Sequence, residues 1–440
     1  MSDVRSFGAV GDGTSDDTEA LQHALTDGEG ALVFERGDYR ITRPLVVDLA
    51  KLGRTGLVGL GGTARLVMAG PGPAVRILGT HLKGTADPGS FDPAFWSKQR
   101  MPLVENLEIF GAHAEADAIE AEGTMQLTVS RTRISGCRHG VRLINRNRNV
   151  LISDCHFYDN SGCGVLYDNV SLHQSNIVGS HISYCRGGGV VTRGGDVRNL
   201  HIGTCDLESN HDPKGPPTAN VLIDCSGSTN GTAEVTITGC TIQHNSESPD
   251  SANIRILGRG DEGPNGRAQW GHVTITGNVL SDVAVNVHLR GCRDVTLTGN
   301  TFWMGFEHNL LVEDCTGLAV GPNTLGRNPA YAYGKSATAK NAVVFRDSRD
   351  AVVSGLYVQG VHTAEAGLVF DGCDRFNITG CNVLDNDGIG LLLRKLTRCH
   401  VANCIVRDDR PEAKSLAIRA DGCTDCTFAG NVSSRPNEGI

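Results

Sequence analysis

The sequence predicts an all-β protein folded as a right-handed parallel β-helix, with about thirteen recognisable coils of three strands each and a short N-terminal capping helix. Two observations indicate this fold. A short apolar phrase recurs at intervals of 20 to 38 residues, and glycine and asparagine stand at the corners between phrases. The 440 residues include 56 glycines, well above average usage, whereas only 20% are charged. Such a period is typical of repeat architectures in which each coil stacks on the next.

The repeated phrase is clearest at residues 235–242 and 295–302, which read Val-Thr-Ile-Thr-Gly-Cys-Thr-Ile and Val-Thr-Leu-Thr-Gly-Asn-Thr-Phe. We call its sixth position the anchor. The thirteen anchors are Ala112, Thr132, Cys155, Ser180, Cys205, Cys240, Asn278, Asn300, Asn323, Leu356, Cys381, Cys404 and Asn431. The residue three before the anchor is apolar in every copy, and the residue two after it in eleven consecutive copies. Both positions therefore point into the coil.

A third strand follows each anchor, as in Gly-Val-Arg-Leu from residue 140 and Asn-Val-His-Leu from residue 286. Ten of the fifteen cysteines then fall into two columns at the corners. The columns are Cys155, Cys205, Cys240, Cys381 and Cys404 at anchors, and Cys225, Cys292, Cys315, Cys373 and Cys423 after third strands. Cysteine behaves as a small buried hydrophobe, so we assign both columns to corner packing. An odd cysteine count argues against a disulfide framework and favours a reducing compartment.

The N-terminal residues predict a short amphipathic helix. Ser15 is placed as its cap, Asp16 and Asp17 suit its positive end, and Leu21 and Leu25 lie on one face. Such a helix closes the open end of a solenoid. We therefore divide the chain into an N-terminal cap with the first coils, residues 1–100, and one continuous β-helix domain, residues 101–440.

Charge and hydropathy argue against several classes of partner. The 49 acidic and 40 basic residues are spread along the chain with a formal net charge of −9, which disfavours a nucleic-acid partner. No run of 18 apolar residues predicts a membrane span, and no apolar signal segment follows Met1. We expect no membrane partner, and a protein that is either cytoplasmic or exported with its signal peptide removed.

The opening phrase Phe-Gly-Ala-Val-Gly-Asp-Gly-Thr-Ser-Asp-Asp-Thr at residues 7–18, followed by a strand and Gly-Asp-Tyr at 37–39, resembles the start of the pectate-lyase-like β-helix superfamily. That superfamily includes polysaccharide lyases, polygalacturonase-type hydrolases, fructan transferases and tailspike enzymes. The resemblance implies a carbohydrate-active protein with a polysaccharide or oligosaccharide partner, and it leaves a homotrimer open. It carries over no catalytic residues, since neither the paired-Asp motif of polygalacturonases nor the Asp-Pro-His-Asp phrase of alginate epimerases is present.

A candidate site is predicted where long corner loops coincide with dense titratable residues. The anchor spacings 205–240, 240–278 and 323–356 exceed the basal period, and insertions in repeat proteins commonly line the binding face. Because strand residues alternate faces, the positions one and three residues after each anchor form outward rows across the coils, and outward positions of third strands form others. The candidate catalytic residues come from these rows and are His156, Tyr158, His181, Asp206, Glu208 and Asp224. The candidate substrate-binding residues are Arg193, His211, Asp212, Lys214, His244, Arg255 and Trp270.

Two reactions suit this set of residues. β-Elimination at a uronate needs a base such as His156 or Tyr158, with cationic groups to stabilise the charge that develops. Glycoside hydrolysis needs two carboxyl groups, and Asp206 and Glu208 lie about 6.6 Å apart along one strand. Histidine beside tyrosine narrowly favours a polysaccharide lyase. The alternatives are a glycoside hydrolase or intramolecular fructan-type transferase, and a non-catalytic glycan-binding or structural β-helix.

The remaining features predict little chemistry. No zinc, P-loop or dinucleotide motif is present, so no cofactor is predicted, and no EF-hand spacing supports calcium at the acidic loops. Trp303 is either a sugar-stacking platform or packed under a loop. Glu307 and His308 are predicted to form an exposed turn.

Overall fold

The computed structural model describes residues 1–83, 89, 92–93, 95–244, 247–258, 270–412 and 415–440. The chain forms a right-handed parallel β-helix, which confirms the predicted fold class. It comprises two compact units. The first is Met1–His211 with Gly227–Thr232, and the second is Asp212–Ser226 with Ala233–Ile440. The predicted boundary near residue 100 stays a prediction.

In the first unit, the second strand of each coil stacks on the next in one parallel sheet. These strands are Asp12–Asp16, Gly37–Ile41, Ala64–Met68, Leu107–Gly111, Arg133–Ser135, His156–Tyr158, His181–Ser183 and Asp206–Glu208. First and third strands belong to another parallel sheet, with members Ser2–Asp3, Ala31–Phe34, Leu45–Asp48, Gly56–Gly59, Gly72–Leu78, Leu103–Glu105, Ala116–Met125, Thr128–Ser130, Val141–Ser153, Cys163–Val178, Gly188–Arg193 and Asp196–Gly203.

The second unit repeats the same arrangement. Its second strands are Thr241–Gln243, Val279–Leu280, Thr301–Phe302, Thr324–Gly326, Tyr357–Gln359, Asn382–Leu384, Ile405–Arg407 and Val432–Ser433. Its first strands are Ala233–Thr238, Trp270–Thr276, Cys292–Thr298, Thr316–Val320, Arg349–Ser354, Asp374–Thr379, His400–Ala402 and Thr427–Ala429. Its third strands are Ala219–Asp224, Ala252–Leu257, Val283–Arg290, Gly305–Glu313, Ala342–Arg346, Ala366–Asp371, Ile389–Arg394 and Ile418–Asp421.

Strand pairing confirms the predicted coil register, except at the first copy of the phrase. Ile109 pairs with Ile134, which follows an anchor, so the anchor of that coil is Leu107 and not Ala112. Ile109 lies three residues before Ala112 and also two residues after Leu107, so the apolar spacing of the phrase fits either residue as the anchor. Among the described residues the sheet of second strands has 16 members. The three coils that precede Leu107 lack the phrase and were not counted from the sequence.

The described helices are short. They are the 3₁₀ helices Val4–Phe7, Pro329–Tyr331 and Gly334–Thr338, the α-helices Thr18–Asp27 and Leu49–Leu52, and the π-turn Phe95–Gln99. Within the described ranges, every helix falls short of the length and apolar character needed to cross a membrane.

The capping helix spans Thr18–Asp27, and Leu21 and Leu25 are buried as predicted. The placement of Ser15 as its cap was wrong, because Asp17 occupies that position. The Ser15 hydroxyl instead donates to Asp12 at 2.9 Å. The Asp17 carboxylate accepts hydrogen bonds from the amides of residues 10 and 11 at 2.6 and 3.0 Å, which ties the start of the helix to the preceding loop.

Side-chain hydrogen bonds link the anchors of successive coils into ladders. In the second unit, the amides of Cys240, Asn278 and Asn300 donate to the side-chain oxygens of the next anchors, Asn278, Asn300 and Asn323, at 2.9 to 3.0 Å. The cysteine columns lie at these corners, buried in all members except the half-buried Cys423. All fifteen cysteines are free thiols. The packing role predicted for the columns is therefore confirmed.

Candidate functional site

The outward residues of three successive second strands in the first unit form a surface that we call the His–Tyr patch. Its members are His156, Tyr158, His181, Tyr184, Asp206 and Glu208. Each strand has three residues with its middle residue buried, so the two flanking side chains face outward. His156 pairs with His181, and His181 with Asp206. The predicted outward row at this face is confirmed.

The aromatic rings of the patch form two edge-to-face pairs. The rings of His156 and His181 lie 5.0 Å apart at 60°, and those of Tyr158 and Tyr184 lie 5.2 Å apart at 68°. Tyr158 is 47% exposed and Tyr184 is 42% exposed. The patch therefore presents flat apolar faces with polar edges, which suit the amphipathic ring of a sugar.

Sequence reasoning missed Tyr184. This residue lies one position beyond its strand with a φ of 57°, where the alternation of inward and outward side chains no longer holds. Asp159 and Ser209 occupy the same corner in neighbouring coils, also with positive φ. Counting four residues past each anchor would have identified this corner row.

The charges around His156 favour its neutral form. Burial lowers the pKa of His156, and the nearby charges of His181 and Arg133 lower it further. Arg133 is the strand partner of His156, and its side chain is 48% exposed while paired with Glu108. A neutral imidazole beside a guanidinium can accept a proton at pH 7. Arg133 belongs to the outward row but was not among the predicted site residues.

Tyr184 and Glu208 interact at the other edge of the patch. The Tyr184 hydroxyl donates to Glu208 Oε1 at 3.5 Å. The negative charge of Glu208 is the main cause that raises the pKa of Tyr184. Tyr184 therefore keeps its proton and serves as a donor rather than as a base.

Of the predicted substrate-binding residues, Arg193 and His211 belong to the first unit. Arg193 is exposed at the end of a third strand, in the sheet that does not contain His156. His211 is only 4% exposed, so its ring does not offer a surface contact to a polysaccharide. Arg133, the strand partner of His156, is a cation beside the patch.

The other predicted residues belong to the second unit. The amide of Lys214 donates to the Asp212 carboxylate at 2.9 Å within a turn. Asp224 accepts from the amide and hydroxyl of residue 226 at 2.9 and 2.6 Å. His244 is exposed at the end of a second strand. The side chain of Trp270 lies outside the described residues.

Arg255 is held inside a network rather than presented to a ligand. It is 5% exposed, donates from Nε to Nδ1 of His288 at 3.1 Å and pairs with Asp250 at 2.8 Å. Because an arginine Nε–H is always a donor, His288 carries its proton on Nε2, which donates to Glu313 at 3.1 Å. Arg346 donates to the other oxygen of Glu313 at 3.0 Å. Burial is the main cause that lowers the pKa of His288, in keeping with its neutral form.

A cavity of about 240 Å³ lies over the outer face of third strands in the second unit, and we call it the third-strand groove. Ala342, Val344, Ala366 and Val369 line its apolar floor, and Leu392 belongs to the same cluster. Val344, Val369 and Leu392 alternate with interior residues of their strands and so point away from the coil interior, yet each is at most 9% exposed. The floor is therefore recessed between the charged walls and faces the cavity.

Sequence reasoning also missed this groove. Glu307 and His308 were predicted to form an exposed turn, which was wrong, because both lie in the strand Gly305–Glu313 and line the groove. Trp303, whose role the sequence left open, packs against Tyr331 with ring centroids 4.5 Å apart. A run of valine and leucine at outward positions of successive third strands is the signal that could have indicated the groove.

Metal-ligand groups were sought in the described part of the chain. There, no group of three or more His, Cys, Asp or Glu side chains is arranged to hold a metal ion.

Three family models match parts of the chain. The model described as right handed beta helix region matches residues 94–242, the model for periplasmic copper-binding protein (NosD) matches residues 225–403, and the model for rhamnogalacturonase A/epimerase, pectate lyase-like, matches residues 1–70. No curated protein sequence matches the chain. The cysteines at 225–403 are buried thiols, and the described residues there form no three-ligand group, so the donor set does not fit copper.

Several solved structures are similar in fold. The Dettilon tailspike protein is 15% identical with a TM-score of 0.46, covering 88% of this chain and 64% of its own. The Azotobacter vinelandii mannuronan C-5 epimerase AlgE6 A-module is 14% identical with a TM-score of 0.42, and the match covers 99% of this chain and 100% of the module. The Streptococcus pneumoniae surface adhesin PfbA is 12% identical with a TM-score of 0.43, and the match covers 98% of this chain and 91% of the adhesin chain. The chain thus spans 64% of the tailspike's length, and these likenesses concern the fold alone.

Proposed function

We propose, from the premise that this chain folds as a right-handed parallel β-helix, that it is a carbohydrate-active enzyme that cleaves a uronate-containing polysaccharide by β-elimination at the His–Tyr patch. One observation carries the proposal. A histidine kept neutral, His156, lies between a guanidinium and a second histidine, with an exposed tyrosine on the same strand face.

The residues of the patch can take the roles that elimination requires. His156 removes the proton from the carbon next to the uronate carboxylate, and the electron pair forms the new carbon–carbon double bond as the glycosidic carbon–oxygen bond breaks. Tyr158, two residues along the same face, protonates the departing oxygen. Arg133 binds the carboxylate and stabilises the negative charge that develops on it. Both proton carriers are restored by exchange with water.

The geometry also favours binding of a chain rather than of a single sugar. Successive coils lie about 4.8 Å apart, so the patch extends across three coils as a row of rings and polar groups. The edge-to-face tyrosines give a stacking platform beside the proposed base. A polysaccharide lying across the coils would meet Arg133, His156 and His181 in turn.

The proposal is tested by incubating the protein with polygalacturonate, alginate and neutral glycans while recording unsaturated-uronate absorbance and reducing ends. We expect new absorbance with an acidic polysaccharide. H156Q and Y158F should each lower kcat/KM by at least about 100-fold, since each removes a proton carrier. The rate should fall as the medium is acidified through the lowered pKa of His156, because only the neutral ring is a base.

H400Q is the matched control, because His400 is an exposed histidine to which the proposed reaction gives no role. It should retain the full rate. Absorbance that persists in H156Q would contradict the assigned base. No product in either assay would contradict cleavage and favour a glycan-binding or structural role.

Glycoside hydrolysis is the second candidate, because Asp206 and Glu208 flank one strand on the same outward face and Tyr184 donates to Glu208. In that reaction one carboxyl group protonates the leaving oxygen and the other activates water or attacks the sugar. Reducing ends without absorbance, lost in both D206N and E208Q, would favour hydrolysis over elimination. If elimination operates, these two variants should lose much less activity than H156Q.

A further inference from the structure

The third-strand groove has the size and floor of a site for one small ring. Its volume of about 240 Å³ lies below the range typical of sites for drug-sized ligands. Val344, Val369 and Leu392 stand in one row on three successive third strands, so the floor is a continuous apolar strip. An apolar floor with a few polar groups on the walls is the usual composition of a ligand site.

The walls carry balanced charge. Three acidic and three basic side chains line the groove, namely Glu307, Glu365, Asp371, Lys340, Arg346 and Arg394. Lys340 pairs with Glu307 at 2.5 Å, and Arg394 pairs with Asp371 at 3.0 Å and with Glu365. With every wall cation beside a carboxylate, the groove has no excess positive charge for an anion. The walls instead offer alternating donors and acceptors to a neutral ligand.

His308 supplies an unused polar atom on the wall. Its Nδ1 is buried and makes no hydrogen bond with any described residue, although buried polar atoms usually have a partner. Burial is the main cause that lowers the pKa of His308, so the ring is neutral near pH 7. Because that atom has almost no accessible surface, a ligand hydroxyl reaches it when the imidazole ring turns towards the groove, and this contact supplies the missing partner.

We infer that the third-strand groove binds one neutral pyranose ring. The apolar face of the ring lies on Val344 and Val369, and its hydroxyls bond to Glu365, Arg394 and Nδ1 of His308. This inference goes beyond the proposed function, because it concerns a binding site in the second unit that requires no cleavage at the His–Tyr patch.

The test is calorimetric titration of the full chain with D-glucose, D-galactose, D-mannose, L-rhamnose and N-acetyl-D-glucosamine, with D-galacturonate as the anionic comparison. We expect at least one neutral sugar to bind saturably at one site per chain, and galacturonate to bind at least tenfold more weakly. Failure of all five neutral sugars to bind saturably overturns the inference, as does preference for galacturonate.

Two variants locate the binding. V369F fills the groove from the outer face and should abolish binding, whereas E365Q keeps the shape but removes a charged acceptor and should weaken binding at least tenfold. E365Q alters a side chain that is 61% exposed, so it tests the site even if V369F unfolds. Unchanged affinity in E365Q overturns the inference.

D350N is the matched control, because Asp350 also pairs with an arginine, Arg375, but does not line the groove. It should bind the sugar like the natural sequence. H156Q separates the two proposals: it should bind the sugar normally while losing cleavage, whereas E365Q should cleave normally. Loss of sugar binding in H156Q would assign the binding to the His–Tyr patch and overturn the groove site.

Discussion

Asn300 shows how a single residue holds one corner of a coil. Its side-chain nitrogen donates to the carbonyls of Ile275 and Thr298 at 3.0 and 3.1 Å and to the next anchor, Asn323, at 3.0 Å. Its oxygen accepts from the backbone and side chain of Asn278, both at 3.0 Å. The residue is 1% exposed, so water cannot replace these partners.

We therefore expect N300A to lower the free energy of unfolding by about 3 kcal/mol, because it leaves several buried polar groups without partners. N300C should cost about half as much, since cysteine fills the same position in other coils of this chain and its thiol can donate to a carbonyl. Chemical denaturation followed by circular dichroism measures both. Equal losses in the two variants would contradict a hydrogen-bonding role for the ladder.

The capping helix, like the Asn300 corner, depends on a buried side chain that bonds to the backbone of another segment. Sequence pattern predicted a helix that starts directly after Ser15, whereas the helix starts at Thr18, and it predicted which face the helix buries, because the leucine spacing is local information. It did not predict the capping residue. Ser15, Asp16 and Asp17 are adjacent in the sequence, and each could cap the helix. Only the folded loop brings the amides of residues 10 and 11 to the buried Asp17 carboxylate.

We expect D17A to lower the free energy of unfolding by about 2 kcal/mol, because two part-buried amides lose the buried carboxylate that accepts from them. S15A is the matched control and should change it by less than about 0.5 kcal/mol, since Ser15 bonds only near the surface. Thermal unfolding of both variants checks this. A larger loss of stability in S15A than in D17A would contradict the assignment of Asp17 and favour Ser15 as the capping residue.

Third strands of the second unit also carry an ordered row of charge. In adjacent coils, Arg290, Glu313, Arg346, Asp371, Arg394 and Asp421 are successive strand partners. The sign alternates at every step, so no like charges face each other within this row of described residues. The coil register predicts this row of alternating charge. It does not predict that Arg346, Asp371 and Arg394 of the row also form a wall of the third-strand groove.

At the scale of the whole molecule, neutral histidines link stability to pH. Burial lowers the pKa of His81 to about 4 and also lowers the pKa of His139, His288 and His308. The unfolded chain binds protons at these groups near pH 6.5, before the folded chain does. Stability must therefore fall as the pH drops from about 6.5 towards the folded pKa values.

We expect the melting temperature to be lower at pH 5.0 than at pH 7.5 by about 5 °C or more, measured by calorimetry at constant ionic strength. Carboxylates with lowered pKa values, such as Asp374 and Asp387, lose their contribution only below about pH 4.5, outside this window. H81Q should reduce the difference, because glutamine does not titrate and its oxygen can still accept from Arg146. A melting temperature that rises on acidification would contradict this assignment.

The sequence by itself determined the coil, its register and the outward row containing His156, His181 and Asp206. These features follow from alternation and from a period that each coil repeats, so local pattern is enough. Tertiary structure alone decided that Arg193 and His156 lie in different sheets, that Arg255 is held by His288 and Asp250, and that an apolar strip is walled into a groove. Those facts depend on which side chains meet across coils and corners, and residues far apart in the chain make those contacts.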